Sequence, residues 1–164
     1  MTSEKVPSSI LIKLTKYLPF IEKIFWTALG VGLLLTMLQI DKTVALVSLL
    51  GLGCTFFLLA YRPVDIPQHE GERFGFSELL GLMIVPKVLW IGSSVSVVGI
   101  SFYLLELNKE GYTRMLMIGG LTGIIATLIL AILFVMGVKH LKTVLPVLLR
   151  ALPLSLVDLY LLLK

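Results

Sequence analysis

The side chains best suited to catalysis or metal binding lie close together in one polar segment, residues 62–78. It holds His69, Glu70 and Glu72, an imidazole and two carboxylates that could bind a metal or exchange protons. Their spacing matches no standard ligand motif, and His140 is the only other histidine. Serine–histidine chemistry also needs a histidine held near its partners, and no pattern places one. We therefore predict ordinary loop residues, with no catalytic residue, no metal, no cofactor and no enzyme activity.

A single cysteine and a glycine pair lie in one long apolar stretch. Cys54 has no second cysteine with which to form a disulfide, so we predict a small core residue, with a redox or lipid-modified role as the alternative. Gly51 and Gly53 follow no strand and open no phosphate-binding loop. Their placement indicates helix packing.

The clearest pattern is a lane of small residues on three of the apolar stretches. Small residues repeated every three or four positions share a helix face and let two backbones approach closely, which favours helix association in lipid. We predict packing within the chain, contact with a partner subunit, or both. The lanes comprise Gly119, Gly123, Thr127 and Ala131; Gly92, Ser96 and Gly99; and Ala28 and Gly32.

The elements that carry these residues are four apolar stretches, at 24–40, 43–61, 88–107 and 115–138. Each is close to the ~20 residues that a helix needs to cross about 30 Å of hydrocarbon. The 164-residue chain is 57% hydrophobic and 15% charged, whereas an average soluble domain has about 25% charged residues. We predict an all-α integral membrane protein, a four-transmembrane-helix bundle. Its spans carry no charge near their centres, which argues against an ion-driven pump.

Apolar segments also flank the first and third stretches. Residues 10–21 place Lys13 and Lys16 on one side of a helix and leucines on the other. This is typical of an amphipathic helix in the headgroup layer, with a frayed polar tail as the alternative. Residues 79–85 stop at Pro86, which predicts an interfacial lead-in or the kinked first turns of a long third helix.

The C-terminal segment 139–164 fits two placements. Lys142, Arg150 and Asp158 would each cost about 2.5–3.5 kcal/mol at the bilayer centre. Pro146 and Pro153 interrupt its helical pattern, and a row of leucines occupies the opposite side. We predict a broken amphipathic helix in the interface, with a fifth crossing as the alternative.

Lysine and arginine are distributed unevenly about the four stretches. Eleven flank the side shared by the N-terminus and residues 62–87, and three, Lys42, Lys109 and Arg114, flank the other side. The positive-inside rule predicts that both termini and residues 62–87 face the cytoplasm, and we expect the bacterial inner (plasma) membrane. Basic residues in these positions set topology, so the net charge of +4 does not indicate nucleic-acid binding.

The two halves of the chain resemble each other. Lys-Ile-Phe-Trp at 23–26 opens the first stretch, and Lys-Val-Leu-Trp at 87–90 opens the third. Met-Leu-Gln-Ile-Asp-Lys at 37–42 and Leu-Leu-Glu-Leu-Asn-Lys at 104–109 close them. The pattern predicts a duplicated two-helix hairpin. Such a repeat is either a structural duplication or a parallel repeat of the kind found in some transporters.

The first hairpin combines a tryptophan-bearing span, a tight turn, a glycine-rich second span and the ending Phe-Phe-Leu-Leu-Ala-Tyr-Arg-Pro-Val-Asp at 56–65. In these features residues 23–65, about a quarter of the chain, resemble the N-terminal transmembrane hairpin of GldL and PorL, motor subunits of gliding motility and type 9 secretion. The family's His-Trp-Pro-Gly turn is Gln-Ile-Asp-Lys here, and its motor glutamate falls near Leu52 or Cys54. The resemblance implies a hairpin that assembles with other membrane helices, without proton-driven motor activity.

These patterns predict one membrane domain over 1–164: an amphipathic segment (1–22), hairpin one (23–61), a cytoplasmic loop and lead-in (62–87), hairpin two (88–138) and a second amphipathic segment (139–164). The favoured function is a non-enzymatic structural or accessory subunit of a larger membrane assembly. Its expected partners are membrane lipids and other membrane subunits, or further copies of itself. The main alternative is a small transporter or channel subunit for a neutral or weakly polar solute, lined by third-span serines. A lipid-acting enzyme that uses residues 62–78 is a third.

Overall fold

The structure, a computed structural model, describes the backbone of residues 8–62, 75–138 and 140–164, with side chains from residue 16 onward. Over those residues the fold is helical and contains no strand, which confirms the all-α part of the predicted fold class. The helices are α1 (Ser8–Met37), α2 (Thr43–Ala60), α3 (Phe76–Leu79), α4 (Val85–Leu104), α5 (Lys109–Val135) and α6 (Leu145–Leu163), with a π-helical turn at Leu80–Ile84 and a 3₁₀ turn at Leu141–Thr143.

Five helical segments in the described part of the chain are long and apolar enough to cross a membrane. The sequence patterns predicted four. The additional segment is α6, which has 19 residues and a mean hydropathy of 1.7. It continues through Pro153 without the predicted break. The five segments are Lys16–Met37, Thr43–Ala60, Phe76–Leu104, Lys109–Val135 and Leu145–Leu163.

The first helix is also longer than predicted. α1 runs without interruption from Ser8 to Met37 and includes Pro19, so residues 10–21 and the first apolar stretch are one element. Leu18 is buried in the core beside this proline. Neighbouring helices can compensate for the hydrogen bond that a proline removes. Lys16 is exposed, and the side chain of Lys13 lies outside the described residues.

The two hairpin turns share one backbone geometry, which matches the repeat in the sequence. Two residues after the end of each first helix comes a residue with positive φ, Gln39 at 56° and Glu106 at 55°. In both turns that residue's amide donates to the carbonyl three positions back, and the next amide donates to the carbonyl five back. Asp41 and Asn108 then each accept from the amide two residues later, at 2.8 and 3.1 Å. These bonds satisfy polar groups that helix ends leave open.

Both turns lie at the same end of the bundle. Lys42 of the first turn donates from Nζ to the Leu104 carbonyl oxygen at 3.3 Å, and the same nitrogen lies 3.7 Å from Oε1 of Glu106. Both partners belong to the second turn. The two hairpins are therefore packed side by side in the same direction, with α1 and α4 running parallel.

The third apolar segment is one continuous helix made of α3, the π turn and α4. Of the two alternatives for residues 79–85, the structure has the first turns of a long third helix. The π turn ends two residues before Pro86, and a widened turn accommodates a residue that has no N–H to donate. Gly81 within it lies against Leu133 and Leu141, so the lead-in packs on the second hairpin.

Two clusters of buried apolar side chains hold the helices together. The first joins α1, α2 and α4 around Phe56, whose ring centre lies 6.4 Å from that of Trp26 and 5.3 Å from that of Trp90. The second joins α4, α5 and α6 and contains Leu89 and Leu130. The two tryptophans that open the hairpins in the sequence thus contact the same phenylalanine.

Each hairpin receives the next helix of the chain at the same position. Gly53 of α2 lies against α4, where Ser94 donates to the Gly53 carbonyl at 2.8 Å. Gly120 of α5 follows Lys109 at the same spacing as Gly53 follows Lys42, so the two glycines correspond in the repeat. Gly120 lies against Asp158 of α6. α6 therefore packs on the bundle through α5 and α4.

An ion pair joins α6 to α1. Nε of Arg150 lies 3.1 Å from Oε1 of Glu22, and the Glu22 side chain is only 3% exposed. The Arg150 guanidinium carbon is 6.0 Å from the ring centre of Trp90, within cation–π range. One arginine thus links α1, α4 and α6.

Candidate functional site

The predicted lanes of small residues lie at contacts between helices of this chain. A Cβ at Gly119 would overlap the hydroxyl and backbone of Ser96, so α4 and α5 touch almost backbone to backbone there. A Cβ at Gly123 would overlap the Ser155 hydroxyl of α6. In a membrane, such close approach is what small residues contribute to helix packing.

The remaining glycines of the lanes are also at internal contacts. Cβ positions built at these glycines fall within 3.1 Å of a neighbouring helix. The pairs are Gly92 with Thr122, Gly99 with Leu116, and Gly32 with Ala45. Contact of these glycines with a partner subunit stays a prediction.

Three members of the lanes lie outside those tight contacts. Thr127 is half-buried and donates to the Gly123 carbonyl at 2.7 Å, so its hydroxyl is satisfied within its own helix. Ala131 is exposed, and Ala28 is half-buried. Thr127 and Ala131 line an apolar groove of about 380 Å³ between α5 and α6.

A polar pair lies inside the second hairpin, where α4, α5 and α6 meet. Ser96 Oγ donates to Oδ2 of Asp158 at 2.5 Å, and both side chains are buried. Gly120 and Ser155 flank the aspartate, and Gly119 flanks the serine. The glycines make the room that lets these polar groups meet in the core.

Asp158 is the residue that sequence reasoning missed. The pattern assigned it to the polar side of an interfacial helix, because nothing local connects it with Ser96 on α4. Its relative exposure is 0%, and its Oδ1 has no hydrogen-bond partner among the described residues. A buried carboxylate without a compensating charge is costly, and it becomes tolerable when a proton or a cation accompanies it.

The other serines of the third span do not form one polar lining. Ser94 bonds to α2, whereas Ser101 donates at 2.8 Å to the Val97 carbonyl of its own helix. Ser93 is buried. The hydroxyls of Ser94 and Ser101 are therefore used in separate contacts.

The remaining candidates for chemistry lie elsewhere. His69, Glu70 and Glu72 fall outside the described residues. In the described part of the chain, no group of three or more His, Cys, Asp or Glu residues could hold a metal ion. Cys54 is exposed on α2, so its predicted core position is wrong. Gly51 does pack as predicted, against the ring of Phe25.

The outward face of α1 combines large apolar side chains, such as Ile24, Val31 and Leu34, with two small exposed residues. On α1, Thr27 and Gly30 are exposed, and no atom comes within 4 Å of a Cβ built on Gly30. The outward face of α5 also carries large aliphatic side chains. They are Ile118, Leu121, Ile125, Leu128 and Ile132.

Comparison with known proteins adds no relative to this geometry: no protein family, no curated protein and no solved structure matches the chain.

Proposed function

We propose that the chain crosses a membrane five times, as α1, α2, the helix Phe76–Leu104, α5 and α6. Support comes from α6, which packs along the bundle and places Asp158 in its core. Lysine and arginine remain concentrated on the side of residues 62–87, which puts the N-terminus and that loop in the cytoplasm. An odd number of crossings puts the C-terminus on the opposite side.

Within this placement, we infer a non-enzymatic structural or accessory subunit of a larger membrane assembly. The observation that carries the proposal is the notch at Gly30 on the outward face of α1. A glycine at this position gives no advantage in contact with lipid tails, whereas it lets a helix of another protein approach the backbone closely. The glycines of the bundle core already have neighbours, and Gly30 is open.

Two small exposed residues within an otherwise apolar surface support this choice of face. Large aliphatic side chains such as Ile125 and Leu128 are what a lipid-facing surface requires. Thr27 and Gly30 break that pattern on α1, one helical turn apart. The GldL and PorL resemblance, which covers α1 and α2, implies the same role of assembling with other membrane helices.

The test is recovery of a partner in mild detergent from the native membrane. A stoichiometric membrane partner should co-purify with the wild-type chain. Gly30→Leu fills the notch without touching the core, so it should reduce recovery of the partner at least about tenfold, the effect of ~1.4 kcal/mol. Gly111→Leu, the same substitution at a glycine of α5 where a Cβ meets nothing nearer than 3.9 Å, should leave recovery unchanged.

Two results would contradict this role. The first is recovery of the chain alone, or only as copies of itself. The second is equal loss of the partner from the Gly111→Leu and Gly30→Leu variants, which would indicate general damage. Elution of each variant as a single sharp species on size exclusion shows that its fold is intact.

A second candidate function, favoured by the burial of Asp158, is movement of protons or a small cation through the bundle. Intramembrane carboxylates commonly mark ion pathways. The sequence patterns suggested a neutral solute, because the apolar stretches carry no central charge. Asp158 changes that expectation: it meets Ser96 between three helices and retains an unbonded carboxylate oxygen in the described structure.

Proteoliposomes can test transport without any partner. A pH-sensitive dye inside the vesicles should report proton entry when a potassium diffusion potential is imposed. Asp158→Asn keeps the shape but not the charge, so it should reduce flux to the level of empty vesicles. Glu110→Gln, at an exposed position of α5, is the control. Wild-type flux equal to that of empty vesicles rules out proton transport.

A further inference from the structure

A cavity of about 240 Å³ opens at the end of the bundle away from the two hairpin turns. Its walls come from α1, α2, α4 and α6 and the segments that flank them. By the same measure of volume, one water molecule needs only about 10–15 Å³. The cavity is therefore large enough for a ligand group of several atoms.

The described residues that line the cavity carry more positive than negative charge. Arg62, Lys87 and Arg150 contribute three cations, and Glu22 contributes one carboxylate. Glu22 is buried, whereas Arg62 and Lys87 are exposed. A polar ligand would therefore reach the two exposed cations first, from outside the bundle.

The ion pair with Glu22 positions Arg150 but leaves some of its N–H donors available to a ligand. The contact uses Nε, at 3.1 Å from the carboxylate. A guanidinium has further donors on its two Nη groups. The guanidinium also lies over the ring of Trp90, with its central carbon 6.0 Å from the ring centre. The arginine is thus held at the cavity by a carboxylate on one side and a ring on another.

We propose that this cavity binds a phosphate group, the headgroup phosphate of an anionic lipid. Arginine and lysine together are the usual ligands of phosphate oxygens, and the guanidinium can bind two oxygens at once. Basic pockets between transmembrane helices on the cytoplasmic side bind lipid headgroups in this way. Leu82 and Val147 provide an apolar wall beside the cations, as an acyl chain requires.

The lipid source rests on the membrane placement under Proposed function, whereas the phosphate chemistry does not. The cavity lies where α2 ends and α4 begins, at Leu59 and Pro86. In the proposed orientation that is the cytoplasmic headgroup layer. A soluble phosphate compound offers the same chemistry from the cytoplasm, so the experiment must separate the two sources.

The test uses the full chain in detergent, mixed with equal amounts of phosphatidylglycerol and phosphatidylcholine, and native mass spectrometry to count the lipid retained. Phosphatidylglycerol should be retained at least about tenfold over phosphatidylcholine, because the choline cation beside the phosphate of phosphatidylcholine is repelled by a cationic cavity. The double variant Arg62→Gln, Lys87→Gln should lose that preference, because charge-assisted hydrogen bonds to phosphate are among the strongest. Both positions are exposed, so the variant should fold.

The matched control is Lys109→Gln, Arg114→Gln, which removes the same charge at the other end of the bundle. It should keep the preference for phosphatidylglycerol. Inorganic phosphate and glycerol phosphate, at millimolar concentration, form the second arm. Displacement of the lipid by either identifies a soluble phosphate compound as the ligand, and resistance to both identifies the lipid.

Three results would overturn the proposal. Wild-type protein could retain both lipids equally, the double variant could retain phosphatidylglycerol as the control does, or the control could lose it too. Membrane placement is assessed separately, by whether alkaline carbonate leaves the chain in the membrane pellet. Failure of that assay removes the lipid source, whereas titration with inorganic phosphate and glycerol phosphate still decides whether the cavity takes a phosphate.

Discussion

Single polar residues set the contacts between elements that are distant in the chain. Glu22 and Arg150 join α1 to α6, and Ser96 and Asp158 join α4 to α6. Each pair places a buried side chain opposite a partner more than 60 residues away. Polar contacts of this kind contribute strongly to stability in a low-dielectric interior. If one partner is removed, the other is left buried without a hydrogen bond, and this destabilises the fold.

The Glu22–Arg150 pair should be energetically coupled. Glu22→Gln and Arg150→Gln should each destabilise the fold by about 1–3 kcal/mol, with the lower end reflecting the exposed arginine. The double variant should be more stable than the sum of the two losses predicts, because it leaves no group without its partner. Thermal unfolding of the four proteins in one detergent measures the coupling. Simple additivity would show that the ion pair contributes nothing.

Asp41 should titrate below its ordinary pKa of 3.8. The Thr43 amide and hydroxyl both donate to Oδ1, at 2.8 and 2.7 Å, and these bonds lower the pKa of Asp41 by favouring its charged form. A lowered pKa means that the carboxylate stabilises the turn above pH 3.8 and loses that effect as the pH falls through its folded pKa.

NMR titration of the Asp41 carboxyl carbon tests this directly. Thr43→Val removes the hydroxyl donor while it keeps the branched shape and the amide. The pKa of Asp41 should then rise part of the way towards its ordinary value. An unchanged pKa in the valine variant would mean that the hydroxyl bond has no influence.

At the scale of elements, glycines decide how near two helices approach. Gly119 has the Ser96 backbone against it, and backbone cannot move aside as a flexible side chain can. Ser96 also holds Asp158, so separating α4 from α5 would disturb the contact with α6. The packing of the second hairpin and its polar pair are therefore one structural unit.

A side chain at Gly119 should separate these helices. Gly119→Val should lower stability by at least about 1–3 kcal/mol, the usual cost of overpacking, with backbone displacement added. Gly111→Val is the control on the same helix, because a Cβ there meets nothing nearer than 3.9 Å. The difference in melting temperature between the two variants in detergent is the measurement. Equal melting temperatures would contradict the tight α4–α5 contact.

The local features of the fold could be predicted from the sequence, and the distant ones could not. The turns at Gln39 and Glu106 repeat in sequence and in geometry, because a few neighbouring residues determine them. The prediction for α6 was a helix in the interface. The helical pattern shows that Asp158 is charged, but it cannot show that the Ser96 hydroxyl of α4 binds it. The lanes of glycine indicated packing, but no pattern could say whether the neighbour belonged to this chain.

At the scale of the whole molecule, the placement of α6 determines the side of the C-terminus. Five crossings predict that a C-terminal reporter faces the compartment opposite an N-terminal one. An interfacial α6 would leave both on one side. Paired fusions to alkaline phosphatase, active only outside, and to green fluorescent protein, fluorescent only inside, distinguish these outcomes. A fluorescent C-terminal fusion with inactive phosphatase would contradict the fifth crossing.

Gly53 and Gly120 occupy matching positions, and the helix that follows each hairpin packs at that position. Each hairpin offers a glycine on its second helix, and the next helix along the chain docks there. α6 thus takes the place that α4 takes on the first hairpin. Among the described residues the two edges of the bundle are consequently unlike: α1 packs on the second helix of its own hairpin, whereas α6 packs chiefly on the two helices of the hairpin before it.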